Sequence, residues 1–254
     1  MKKRLTQLVP WMLPILLLGA WQLLSSLGYI SSRILPNPVD IFNAGIELGQ
    51  SGQLWNDIVI SSKRAFWGFI IGGGIGFILG LWNGLSKAAE TVLDTTIQMI
   101  RNIPHLALIP IVILWFGIEE EAKLFLVALG TFFPIYLNTF HGIRSVDASL
   151  IEMGKVYGLK GFSLFLHVIF PGALSSILVG VRYALGITWV TLIVAETIAA
   201  NSGIGYMAMN AREFMQLDVV VLSIMLYAIL GKLSDVAAKM AERRFLKWNS
   251  NYQK

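Results

Sequence analysis

Arg182 is the single charged residue between Val168 and Ala195. In hydrocarbon an unpaired guanidinium at mid-span costs about 3 kcal/mol or more. It is therefore expected to face a bundle interior or a cavity, where it can pair, gate or touch a passing anion. Arg101, Asn102 and His105 flank Pro104. A helix broken at that proline would free backbone N–H groups, and broken helices that line a cavity handle ions inside membranes; the plainer reading is a helix that starts there. Glu196, just past the same apolar run, can steer a ligand or pair with Arg212. No residue is assigned a catalytic role. The chain has no GxxxxGK[ST] loop, since Gly231-Lys232 is followed by Leu233. His105, His141 and His167 are far apart and lack HExxH spacing, so each is expected to be packed or interfacial, with no metal site. Ser202-Gly203 lacks the first glycine of an intramembrane GxSG motif, which leaves an intramembrane serine protease a remote alternative. Without cysteine there is no disulfide scaffold, thiol nucleophile or thiolate metal site.

The elements that hold these groups read as membrane spans. Of 254 residues, 56% are hydrophobic and 14% charged, against about a quarter charged in soluble domains. The net charge of +5 does not mark a nucleic-acid binder, because the charges fall between apolar runs and not along one face. A helix needs about 20 residues to cross the hydrocarbon core. Uncharged stretches lie between Arg4 and Arg33, Arg64 and Lys87, Arg101 and Glu119, and Lys123 and Arg144. The run from Val168 to Ala195 and a last one from Val219 to Ala238 make six, with Lys232 and Asp235 spaced to pair on the last helix. Fourteen of the 20 Lys and Arg fall on the side of the two termini and five on the other, which places both termini in the cytoplasm. Lys63 and Arg64 oppose this locally and are expected to snorkel. The start, MKKRLTQLVPWMLPILLLGAW, mimics a secretory signal, but its uncharged run is too long and no small-x-small cleavage site follows.

Gly68, Gly72, Gly76, Gly80 and Gly84 repeat every four residues, and Gly172, Ser176, Gly180, Ala184 and Thr188 repeat the device. Such stripes let another backbone approach, within the subunit or between subunits. Residues 37–60 read as an external amphipathic helix with Ile41, Ala44, Ile46 and Leu48 on its apolar side. The segment from Glu196 to Asp218 reads as an external gate, a docking surface or plain interfacial packing. Residues 1–58 then form a first helix with an external segment, 59–241 a transmembrane core, and 242–254 a cytoplasmic tail.

Between the fourth and fifth spans, Ser149-x-x-Glu152 has capping-box spacing, so a helix is expected to start near Leu150 and stop at Gly158. A second short helix would run from Phe162 to Phe170, with Pro171 opening span five. This loop resembles the cytoplasmic motif E-A-A-x3-G-x9-I-x-L-P of type-1 ABC importer permeases. Here it reads Glu152-Met153-Gly154, three residues, Gly158, nine residues, Val168, one residue, Phe170, Pro171. Every interval agrees; the replacements are small or apolar. ILPNP at 34–38, RNIPHLALIPIVILWFGI at 101–118 and AETIAANSGIGYMAMNAREF at 195–214 are similar to the aliphatic-sulfonate permeases, with taurine and nitrate permeases as near relatives.

The resemblance implies an all-α, polytopic membrane protein with six transmembrane helices in the type-1 importer permease fold. It implies a homodimer in the bacterial cytoplasmic membrane that imports aliphatic sulfonates, with taurine, nitrate or another small oxyanion as the alternative. Two ABC ATPase subunits would hold ATP and magnesium, a periplasmic or lipid-tethered protein would deliver the anion, and no cofactor or nucleic acid would bind this chain. Glu152, Met153, Gly154, Gly158 and Pro171 would be the ATPase-coupling element. Arg101, Asn102, His105, Arg182 and Glu196 would lie along the pathway.

Overall fold

The computed structural model describes residues 2–31 and 34–248, with side chains from residue 12 onward; Arg33 and residues 249–254 of the tail lie outside the described residues. The architecture is all helical, with no strand among the described residues. α1 (Lys2–Ser26) leads to α2 (Pro38–Gln50), which Asn37 caps and Pro38 opens. α3 (Gln53–Leu85) follows after a break at Ser51-Gly52. The expected single helix over 37–60 is therefore two: Ile41 and Ala44 are buried as expected, Ile46 is exposed, and residues 53–60 belong to the second span.

α4 (Lys87–Arg101) ends at Asn102, and after Pro104 a short 3₁₀ turn, His105–Leu108, runs into α5 (Ile109–Phe116). The two arms are bent by 79°. Pro104 can neither donate its missing N–H nor leave Ile103 helical, so the third span is broken at this proline, as one of the two expected readings had it, and its first arm begins at Lys87 rather than Arg101. α6 (Glu120–Arg144) is the fourth span. α7 (Ala148–Val156) and α8 (Gly161–Leu164) make the following loop. A π turn, Phe165–Ile169, joins α8 to α9 (Phe170–Ala199). The second short helix is thus not separate: residues 161–199 form one 39-residue rod. Pro171 lacks the N–H that would continue the regular ladder, and just ahead of it the Phe170 N–H reaches five residues back to Phe165. α10 (Ile204–Glu213) and α11 (Leu217–Phe245) complete the chain.

Four helical stretches (α3, α6, the 161–199 rod and α11) are long and apolar enough to cross a membrane, and the bent pair makes a fifth. With α1, apolar from Met12 to Ser26, the count is six. α6 sits at the centre, packed along its length between α3 and α9. The first glycine stripe is what allows the α3 contact. A Cβ on Gly68 would stand 2.5 Å from Val127, one on Gly76 2.5 Å from the Phe132 carbonyl, and one on Gly80 2.7 Å from that of Tyr136. The second stripe serves the other flank of α6. A Cβ on Gly180 would stand 2.9 Å from the Pro134 carbonyl, Ser176 donates to the Asn138 carbonyl at 2.8 Å, and Ala184 and Thr188 are buried. Both stripes are spent within the protomer. α11 packs on α9, α10 and α2, and α1 lies at the edge against α2.

Candidate functional site

The loop between α6 and α9 is an elbow. Its first helix is capped by Asp147, whose carboxylate accepts the Ser149 N–H at 2.8 Å; the expected cap at Ser149 is corrected, because Asp147 two residues earlier reaches the free N–H first. That hydrogen bond holds the Asp147 carboxyl below the usual carboxylate range. The cap is complete at neutral pH and is lost only as pH falls through the lowered value. The helix ends in paired reverse bonds, Leu159 N–H to Gly154 O at 3.0 Å and Gly158 N–H to Lys155 O at 2.9 Å. These two bonds need the residue between them in the left-handed region, and Gly158 supplies φ +85°. Gly154 is buried because α7 folds back on the rod: a Cβ there would meet Leu164 at 2.8 Å and Val168 at 3.1 Å. Glu152 is exposed, and so are the large apolar side chains of Met153, Val156, Tyr157 and Phe162. These side chains form an apolar patch on a projection, the kind of surface that partner-binding sites present. Pro171 sits at the start of α9, below the π turn.

The five pathway candidates do not converge. Arg101 and Asn102 are exposed at the end of α4, while His105 turns inward and shares a 3.0 Å hydrogen bond with Thr191 of α9. Arg182 pairs with Asp235 of α11 at 2.6 Å and lines a cavity of about 400 Å³. Lys232 and Asp235 pair as expected, at 3.4 Å. Glu196 is elsewhere. It is buried and its partner is Arg64, at 2.8 Å, not Arg212.

Arg64 is the residue that sequence reasoning misplaced. It does not snorkel; it is 3% exposed and ties four segments together. Its Nε and Nη2 donate to both oxygens of Glu120 at 2.6 and 2.5 Å, its Nη1 donates to Glu196 and to the Ser202 carbonyl, and Nη2 also reaches the Ser202 hydroxyl. Glu196 accepts from Ser61, from Tyr227 at 2.7 Å and from the Gly205 N–H. Asp57 accepts the Gly203 N–H, and Ser61 accepts that of Ile204. The turn before α10 is thereby fastened to α3. The signal was present: Asp57, Ser61 and Arg64 follow at i, i+4 and i+7, and their face continues into the glycine stripe. Ser202 receives the Arg64 guanidinium on both its carbonyl and its hydroxyl. Among the described residues no group of three or more His, Asp and Glu is placed to hold a metal.

A polytopic helical bundle with an apolar-faced elbow between two spans defines a membrane transport component. The chain belongs to the family described as binding-protein-dependent transport system inner membrane component, whose model matches residues 72–247. It is 62% identical over 251 residues to the chain named the aliphatic sulfonates transport permease protein SsuC in Escherichia coli (strain K12), covering 99% of this chain and 95% of that one. A Bacillus subtilis (strain 168) protein of the same name is 44% identical over 252 residues, covering 99% and 91%. Among solved structures, the inward-facing MetNI methionine ABC transporter matches with a TM-score of 0.52 at 18% identity, covering 74% of this chain and 94% of that one. The fold is that of a type-1 ABC importer permease.

Proposed function

We propose that this chain is the membrane-spanning permease subunit of an ATP-driven importer that carries aliphatic sulfonates across the bacterial cytoplasmic membrane. Two copies form the pathway, two ABC ATPase subunits bind ATP and magnesium and hydrolyse it, and a sulfonate-binding protein delivers the anion from outside. Both termini face the cytoplasm. The observation that carries this reading is the elbow: a capped helix, closed at Gly158 and laid on Leu164 and Val168, presenting exposed apolar side chains. The 62% identity to a chain named for aliphatic sulfonates supports the substrate class. Glu152, Met153, Gly154, Gly158 and Pro171 form the coupling element. α7 lies on the same rod that continues as α9, so a push on the elbow moves span five as a body. Arg101, Asn102, His105 and Arg182 border the path, and Glu196 fixes its outer end by holding the turn before α10.

Uptake of a labelled short-chain alkanesulfonate is the test, in cells lacking this gene and supplied with the chain, its ATPase and its binding protein. Restored uptake is expected; uptake of taurine or nitrate in place of alkanesulfonates would transfer the reading to those anions. Gly158→Val forces a β-branched residue to φ +85°, at a cost of about 1–2 kcal/mol or more. Uptake is expected to fall at least tenfold while the protein stays in the membrane. Normal uptake by this variant would refute the role of the elbow.

A further inference from the structure

Along the facing sides of α9 and α11 three cations stand against two carboxylates. Asp235 receives Arg182 Nε at 2.6 Å on one oxygen, and Lys239 at 3.0 Å and Lys232 at 3.4 Å on the other. Glu242, the second carboxylate whose charge reaches Arg182, is buried. The Asp235 carboxylate is thus shared among three cations and does not serve Arg182 alone. Arg182 lies roughly 18 Å along α9 from Phe170, at 1.5 Å per residue, and meets Asp235 in the C-terminal part of α11. The Arg182 and Lys239 side chains are 41% and 42% exposed in the protomer. Charges this open are costly against hydrocarbon and are met by water or an anion.

The cavity beside Arg182 has a volume of about 400 Å³ and is lined by Val179, Tyr183, Gly186, Gly231 and Asp235 as well, within the range of about 300–1,000 Å³ of small-molecule sites. Its two glycines are unlike those of the α3 stripe. A Cβ on Gly186 would meet nothing within 4 Å, and one on Gly231 only Trp189 at 3.8 Å. Packing within the chain requires neither, although each weakens its helix relative to alanine; together they keep the cavity bare. Both Nη groups of Arg182 have no hydrogen-bond partner among the described residues.

We propose that this cavity is an oxyanion site that takes a singly charged sulfonate or phosphate group on the free guanidinium nitrogens of Arg182. Naming the transported sulfonate as its occupant rests on the function proposed above; the phosphate of an anionic lipid carries the same chemistry. Asp235 holds Arg182 between occupants and competes with the anion for it, which keeps the hold weak enough for release.

The test is butanesulfonate binding, read by saturation-transfer NMR, to the permease–ATPase complex in phosphatidylcholine nanodiscs. Binding is expected to weaken at least tenfold in Arg182→Gln, to return in part in Arg182→Lys, and to vanish in Gly186→Leu, which fills the cavity and leaves the charges untouched. Co-purification of each variant with the ATPase shows that it is folded. Equal binding by the wild type and Arg182→Gln, or none by the wild type, overturns the site. In discs that contain phosphatidylglycerol, loss of butanesulfonate binding assigns the site to lipid phosphate, and unchanged binding assigns it to the sulfonate. Cells that take up sulfonate while the binding test fails would sink this site alone. Arg182-dependent binding without uptake would sink the transport reading and keep the site.

Discussion

Arg64→Ala is expected to lower the stability of the solubilised protein by about 3–5 kcal/mol and to leave little of it in the membrane. Among the described residues the guanidinium is the only cation in contact with Glu196, whose side chain is fully buried, and it also closes on both oxygens of Glu120. Its removal leaves Glu196 and Asp57 as buried carboxylates without a counter-charge. The hydrogen bonds from Ser61, Tyr227 and Gly205 remain, but they do not replace a charge. Arg64→Lys should recover only part, since an ammonium cannot bridge two carboxylates with a planar fork. Replacing both partners, as in Arg64→Met with Glu196→Met, should be milder than Arg64→Ala, because no orphaned charge is left. Thermal melting in detergent measures all three; an Arg64→Ala protein that melts with the wild type would show that the cluster does not hold α3, α6 and α9 together.

Gly72→Ala is expected to cost about 3 kcal/mol or more, at the upper end of overpacking, whereas Gly74→Ala, two residues on, should gain up to about 1 kcal/mol from better helix propensity. Both add one methyl group to α3. At Gly72 that carbon would overlap the Ala128 carbonyl oxygen and the Thr131 hydroxyl, and a backbone carbonyl cannot turn aside without opening the helix. At Gly74 it meets nothing within 4 Å. The difference between the two variants therefore reads the facing helix, not the intrinsic cost of the substitution. Denaturant titration of the two proteins side by side measures it, and equal stability would mean that α3 and α6 stand further apart than the structure has them.

The parts of the fold that local chemistry dictates were legible before any coordinates. Five glycines at a period of four over 17 residues mark a backbone contact, and Pro104 marks a break, because each is a steric statement about the chain near itself. The closing of α7 at Gly158 belongs to the same class, since only the left-handed region permits it. What could not be read was partnership. Arg64 meets Glu120 and Glu196, 56 and 132 residues away, and nothing in the neighbourhood of Arg64 distinguishes a tethered guanidinium from one that snorkels. Glu196 and Arg212 belong to one external segment, which makes a pair between them a natural expectation, yet Glu196 meets Ser61 and Arg64 of α3 from within α9. The cap at Asp147 shows a smaller failure of the same kind. Ser149 has the capping-box spacing, but the oxygen that reaches the free N–H belongs to Asp147, two residues earlier.

The interlock of α3 with α6 has a mechanical meaning. Carbonyls and methyls of α6 fall into successive gaps along α3, one about every 6 Å for four residues of helix rise. Small slippage of one helix along the other drives a Cα or carbonyl out of its gap and into the next tooth. The only alternative registers lie a whole notch away, and packed interfaces of this kind switch between discrete seats without passing smoothly through the distances between them. α9 is seated against the opposite flank of α6 in the same fashion. Three helices so keyed behave as one slab, and alternating exposure of the two membrane faces must come from slabs rocking against each other, with the ladder of gaps setting the rigidity of each rocker.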